Sequence, residues 1–282
     1  MRTHGWGLLL LALLPLAASA NVCRPKDNRT LVIGHPYKLD WFTTFRMKNS
    51  ARLLGYKIKF QDLKSSPDAL TGLRGVDALL VPGGADIHPS YYTYNTLPPE
   101  FLAAIEKFKR YYQSTNEGAS RDPYEFNVYR TYFSSPEFAT LPALGICRGM
   151  QMMAVSKGIP LVQDLKAEYG ITNRRNRFDR FEVVEGASLI SEMFPSGAEW
   201  GFKNHHQNPR MDYLTRYAAS HAEVKITATS QRGRILEAME MTDRPALGVQ
   251  FHPEKSFPYV KHQIFKWLLT SACERTHHGE IK

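Results

Sequence analysis

Cys147 stands between Gly145 and Gly149, where an apolar run from Pro142 to Ile146 gives way to a Met-rich run from Arg148 to Ser156. Few local structures fit that spacing. It suits a buried strand that bends sharply into a helix, with the bend residue in strained backbone geometry and no room for side chains two positions either side. A cysteine there sits at a helix N-terminus, whose unpaired N–H groups favour a thiolate. A buried structural cysteine beside packing glycines would carry the same short pattern, so the surrounding chain decides its meaning.

Upstream, Thr30 to Gly34 reads as a short buried strand, Trp41 to Leu54 as a helix and Lys57 to Phe60 as the next strand. Val76 to Val81 is another apolar run, ended by Pro82-Gly83-Gly84, whose glycines let the chain turn with its amides open to a ligand. Helical periodicity spans Pro99 to Tyr112 and Asp122 to Ser134, separated by a polar loop from Ser114 to Ser120. This alternation predicts an α/β domain on a mainly parallel sheet. After Gln163-Asp164-Leu165 the pattern changes to short extended runs: Phe181 to Val184, Val224 to Ser230, Ile235 to Met241 and Ala246 to Phe251. These extend the sheet or form a smaller antiparallel one, and a helix from Tyr259 to Cys273 closes the chain.

Residues 1–20 combine Arg2 and His4 with an apolar run from Trp6 to Leu16 and end in Ala18-Ser19-Ala20, the pattern of a cleaved secretion signal. The run is shorter than the ~20 residues a bilayer span needs, so stable membrane insertion is not expected. Residues 21–282 then read as one domain, exported to a periplasm, a lysosome-like lumen or the medium. Three cysteines in an exported chain suggest one pair and one reserved thiol. Cys23 and Cys273 could bridge the two ends, and two separate free thiols fit equally. Asn28-Arg29-Thr30 has the form of an N-glycosylation acceptor. The net charge is +9, with its densest basic cluster at Arg174, Arg175, Arg177 and Arg180. No groove-entering helix or nucleic-acid module accompanies it, so it reads as a solvated basic loop and nucleic acid is not an expected partner.

A cysteine nucleophile needs a base and a group to orient that base. His252-Pro253-Glu254, directly after the run Ala246 to Phe251, offers an imidazole at a strand end and a carboxylate two residues on. The histidine would face Cys147 across the carboxyl ends of the strands, where open α/β sheets bind ligands. No metal or cofactor is required.

The elbow Gly145 to Gln151, the strand end Gly248 to Glu254, and the segment Asp77 to Tyr92 with Pro82-Gly83-Gly84-Ala85-Asp86 resemble the class I glutamine amidotransferase-like family, in particular its γ-glutamyl hydrolase branch, peptidase family C26. Arg121-Asp122, Gly158 to Leu165, His205-His206-Gln207 and Leu236-Glu237-Ala238 support the match, which spans nearly all of residues 21–282. The resemblance implies a flavodoxin-like three-layer α/β/α single domain with a smaller antiparallel sheet. It implies a triad of Cys147, His252 and Glu254, oxyanion donors at the backbone N–H groups of Gly84 and Arg148, and a substrate held by Gln151, His205, His206 and Gln207. The expected reaction is hydrolysis of a small γ-glutamyl amide or peptide, with a homodimer as the assembly to consider. Gly201-Phe202-Lys203-Asn204 and the basic stretch Gly170 to Arg180 depart from the family pattern and bear on leaving-group specificity. Two rival readings are a glutaminase subunit that feeds ammonia to a synthase, and a silent binding protein of the same fold.

Overall fold

The computed structural model describes Cys23 and residues 28–93, 97–172, 174–186 and 188–278. The expected secretion signal, residues 1–20, lies outside the described residues. Strands β1 (Thr30–His35), β2 (Lys57–Asp62), β3 (Ala78–Val81), β4 (Ala143–Ile146), β5 (Leu161–Val162), β6 (Arg174–Val183), β7 (Ala198–His205), β8 (Asn208–Pro209), β9 (Val224–Ser230), β10 (Ile235–Met241) and β11 (Ala246–Val249) form two sheets. The large one has the order β2-β1-β3-β4-β11-β10-β9-β6-β7, and β5 pairs with β8 in the small antiparallel one. From β2 to β11 the neighbours run parallel, and from β11 to β7 they run antiparallel. The parallel half has the doubly wound order in which the chain reverses direction between β1 and β3, and ligands collect at that crevice.

β3, β4 and β11 are short and wholly buried, as strands covered on both faces must be. The two-residue period of a strand splits their side chains between two cores. Leu79 and Val81 face one core, with Tyr129 and Tyr132 of helix α5 (Asn116–Ser134) and Met150, Met152 and Met153 of α6 (Arg148–Ser156). Ala78 and Leu80 face the other, with Met47 and Ala51 of α1 (Trp41–Leu53) and Ile264 and Leu268 of the closing helix, Pro258–His278. This is the expected layering of helices on both sides of a mainly parallel sheet. Among the described residues no helix is long and apolar enough to cross a membrane.

Two sequence expectations are corrected. The polar stretch Ser114 to Ser120 is mostly helical: Thr115 caps α5 by accepting the Gly118 N–H at 3.0 Å, so the helix begins at Asn116. The basic stretch is not a loop but most of β6, whose first half pairs with β7 alone and exposes Arg175, Arg177 and Arg180. Cys23 and Cys273 form a disulfide with Cα atoms 6.1 Å apart, leaving Cys147 as the free cysteine, and buried.

Candidate active site

Cys147 has φ 50° and ψ −104°, a left-handed conformation that a non-glycine residue adopts only under constraint from its surroundings. Those surroundings are backbone. The Cys147 N–H donates to the Val249 carbonyl of β11 at 2.7 Å, which ties the bend to the neighbouring parallel strand. A Cβ on Gly145 would lie 2.7 Å from the Gly149 carbonyl carbon, and one on Gly149 would lie 2.1 Å from the Val81 carbonyl oxygen of β3. The two glycines therefore let α6 start against the sheet with Cys147 at its N-cap, as the spacing predicts.

His252 follows β11, which lies beside β4, and its ring comes to the same point above Gly83 as the thiol. A Cβ on Gly83 would meet His252 Cε1 at 2.8 Å and Cys147 Cβ at 3.5 Å. His252 Nδ1 contacts Glu254 Oε1 at 2.7 Å, both residues being buried. That contact places the Nδ1 proton toward the carboxylate and leaves Nε2 for the thiol. Burial disfavours charge on this imidazole, but Glu254 and the Cys147 sulfur outweigh it and push its pKa up to about 10. The ring is thus held protonated at neutral pH opposite a nucleophile. Gln250, one residue past β11, donates from Nε2 to Cys147 Sγ at 3.4 Å.

The Pro82–Asp86 turn after β3 is held by two buried guanidiniums. Arg121 donates to the Pro82 carbonyl at 3.0 Å and the Gly83 carbonyl at 2.9 Å; Arg148 donates to those of Ala85 at 2.8 Å and Asp86 at 3.2 Å. The guanidiniums are joined by Glu125, which accepts from Arg121 Nε at 2.7 Å and Arg148 Nε at 3.0 Å, while Asp122 accepts from Arg148 Nη2 at 2.6 Å. With four carbonyls turned to cations, the turn is fixed with Gly84 in the cavity lining, and the Gly84 N–H takes part in none of those bonds. It has no acceptor among the described residues, and neither does the Arg148 N–H, whose place at the start of α6 leaves no carbonyl a turn earlier. A Cβ on Gly84 would strike Arg121 Nη1 and Glu117 Oε1, so a side chain there would have to push this clamp aside.

These parts meet in a cavity of about 360 Å³ at the carboxyl ends of β1, β3, β4 and β11, lined by Tyr37, Lys38, Gly83, Gly84, Cys147, Asn204, His252 and Lys255 among others. Lys38 and Lys255 are exposed at its mouth. The structure does not bring the four expected substrate-holding residues to this surface. Gln151 Nε2 donates to the Gln207 carbonyl at 3.1 Å and to Gln250 Oε1 at 3.2 Å, and His205 Nδ1 faces the Gln207 carbonyl at 3.0 Å. His206 is engaged by Asp86 and Asp164. All four are buried, and none of them lines the cavity. Sequence reasoning gave no site role to Glu125 or Gln250, and it placed Asn204 only in a segment bearing on specificity. Gln250 lay two residues before His252, inside the matched motif Gly248 to Glu254, without a role of its own.

Known proteins resemble this chain in sequence and fold. The peptidase C26 family model matches residues 54–254. The Mycobacterium tuberculosis protein Rv2859c, named for a glutamine amidotransferase, is 27% identical over 205 residues, 71% of this chain and 57% of its own. The CTP synthase of Thermosipho africanus is 27% identical over 159 residues, 46% of this chain and 30% of its own. The chain spans less than two thirds of the length of these curated relatives. A solved glutamine amidotransferase of Thermotoga maritima shares the fold with a TM-score of 0.51 and 18% identity, over 88% of this chain and 97% of that one. With the family model matching more than half of its length, the chain belongs to the peptidase C26 family.

Proposed function

We propose that the protein is an exported hydrolase of γ-glutamyl amide bonds. The observation that carries the reading is one cavity holding a thiol in left-handed geometry, a carboxylate-oriented imidazole and two backbone N–H groups without acceptors. The Cys147 thiolate attacks the side-chain amide carbonyl, and the new oxyanion rests on the N–H groups of Gly84 and Arg148. The His252 imidazolium gives its proton to the departing amine as the C–N bond breaks, leaving a γ-glutamyl thioester. A water then loses a proton to His252 and attacks the thioester; glutamate leaves and the thiolate returns. Glu254 keeps the ring oriented through both halves. Lys38 and Lys255 at the mouth suit the carboxylate of a glutamyl unit. The Cys23–Cys273 disulfide favours an oxidising compartment and so supports export.

The names of the relatives favour a second reading, a glutaminase subunit that supplies ammonia to a synthase. A release assay across glutamine, γ-glutamyl amines, γ-glutamyl peptides and poly-γ-glutamates, run without any partner, separates the two. Faster release from N-substituted compounds than from glutamine is expected, and the reverse order favours the glutaminase. Cys147→Ala should abolish release with the fold kept; substantial remaining turnover refutes the assignment.

A further inference from the structure

His206 does not line the cavity, yet both of its ring nitrogens face carboxylates. Its Nε2 lies 2.9 and 3.0 Å from the two carboxylate oxygens of Asp86, and its Nδ1 lies 3.2 Å from Oδ2 of Asp164. A neutral imidazole carries one N–H, so one of these faces would then set a lone pair against a carboxylate. Only the imidazolium donates to both.

We infer that His206, as an imidazolium strapped between Asp86 and Asp164, is a positioning residue that holds the Gly83–Asp86 turn so that the Gly84 N–H faces the cavity. The inference rests on the proposed role of Gly84 as an oxyanion donor. Asp86 is the last residue of that turn, and its own carbonyl accepts from Arg148. The two arginines thus grip the turn through its carbonyls, and His206 grips it through the Asp86 side chain. The far anchor is fixed as well: Asp164 Oδ1 accepts the Ala167 N–H at 2.8 Å and caps the helix Leu165–Tyr169. Asp86 Oδ2 also accepts the Gln113 N–H at 2.9 Å.

The charged groups facing the ring are these two carboxylates. Behind them, Glu168 is committed to Arg210 at 2.7 Å, Tyr92 is a buried neutral phenol bonded to Gln163, and Arg148 sits on the Asp86 carbonyl. His205, next in the chain, turns its Nδ1 to the Gln207 carbonyl. Burial disfavours the His206 imidazolium, but Asp86 and Asp164 outweigh it and raise its pKa above 6.5. Because the folded value is raised, the strap is fully present below the ordinary imidazole value and is lost as pH rises through the raised one. Deprotonation leaves one ring N–H for two carboxylates and so breaks the strap at one end, while the arginines and the Gln113 N–H keep their hold on the turn.

The test uses the whole chain, with NMR of the His206 ring N–H groups and the Gly84 amide alongside kcat and KM, from about pH 5 to about pH 9 across the imidazole range. In the unmodified protein both His206 ring protons are expected at the acid end. The Gly84 resonance and kcat should then shift with the midpoint at which one proton is lost. His206→Gln should lower kcat about tenfold with KM within about twofold, and should remove that pH-dependent step. Asp86→Asn should move the NMR midpoint and the kcat step together to lower pH, and serves if the first variant fails to fold. A singly protonated His206 at the acid end overturns the inference, as does a Gly84 resonance that ignores the His206 titration. So does an unchanged pH profile in His206→Gln. If the unmodified protein releases nothing from any γ-glutamyl compound, the functional reading fails, while the two resonances still decide whether His206 holds the turn.

Discussion

Glu125→Gln probes the part of the site that lies deepest in the fold. Glu125 is fully buried and bridges two guanidiniums that are themselves 1% and 0% exposed. The substitution keeps the shape but removes the charge, and it sets an amide N–H against an arginine N–H on one side. Breaking a buried, hydrogen-bonded ion pair costs about 3–5 kcal/mol. Arg148 retains Asp122 and Arg121 retains Glu117, so the low end, about 3 kcal/mol, applies here. For a domain of this size that lowers the melting temperature by roughly 6–12 °C. The same guanidiniums hold the carbonyls of Pro82, Gly83, Ala85 and Asp86, so kcat should fall as well, by about tenfold or more, as the Gly84 N–H drifts. The rate at which iodoacetamide alkylates Cys147 should stay close to that of the unmodified protein, since alkylation forms no oxyanion. Glu117→Gln is the control: its partner is the same Arg121, but its side chain is 38% exposed and the loss should stay under about 1 kcal/mol. Thermal melts followed by circular dichroism, with a release assay on the same samples, measure both effects. A melting temperature within about 2 °C of the unmodified protein, together with unchanged kcat, would refute the view that this cluster sets the turn.

Glu254→Gln should lower kcat by about 100- to 10,000-fold and bring the His252 deprotonation limb down from about 10, since an opposing carboxylate supports the imidazolium that burial disfavours. The raised value means the charged ring is secure below the ordinary imidazole range and lost as pH climbs through about 10, which the pH dependence of kcat reads directly. Gly149→Ala drives a methyl against the Val81 carbonyl, where no side chain can swing aside, and should destabilise by at least about 1–3 kcal/mol in urea melts. Cys273→Ser opens a bridge of sequence separation 250 and should lower stability by up to about 5 kcal/mol, while kcat measured below both melting transitions stays unchanged.

The elbow was legible because its constraint is local and steric: two glycines and a cysteine report a crowded bend whatever surrounds them. His252 and Glu254 were legible because orientation of the base is solved within three residues. The clamp was not. Glu125 and Arg148 stand 23 positions apart and meet only once α5 and α6 pack on one face of the sheet. β6 escaped notice because its first half has a strand on one side only and is open to solvent on both faces, so no two-residue apolar period develops. Phe178 holds that half down instead, stacking on Phe257 with centroids 4.6 Å apart, a contact no pattern in the chain announces. That Gln151 and His205 to Gln207 are buried and absent from the cavity lining was hidden for a related reason. Proximity to the thiol in sequence or across the sheet places them near it, but not on its open side.

The bridge between Cys23 and Cys273 turns nearly the whole described chain into a covalent ring. A ring cut once is still one molecule. A protease that nicks any surface loop between those two cysteines leaves both pieces tethered, so the strands of the central sheet have no route to diffuse apart. For an enzyme proposed to work outside the cell, among other hydrolases, such a closure converts a fatal cleavage into a tolerable scar.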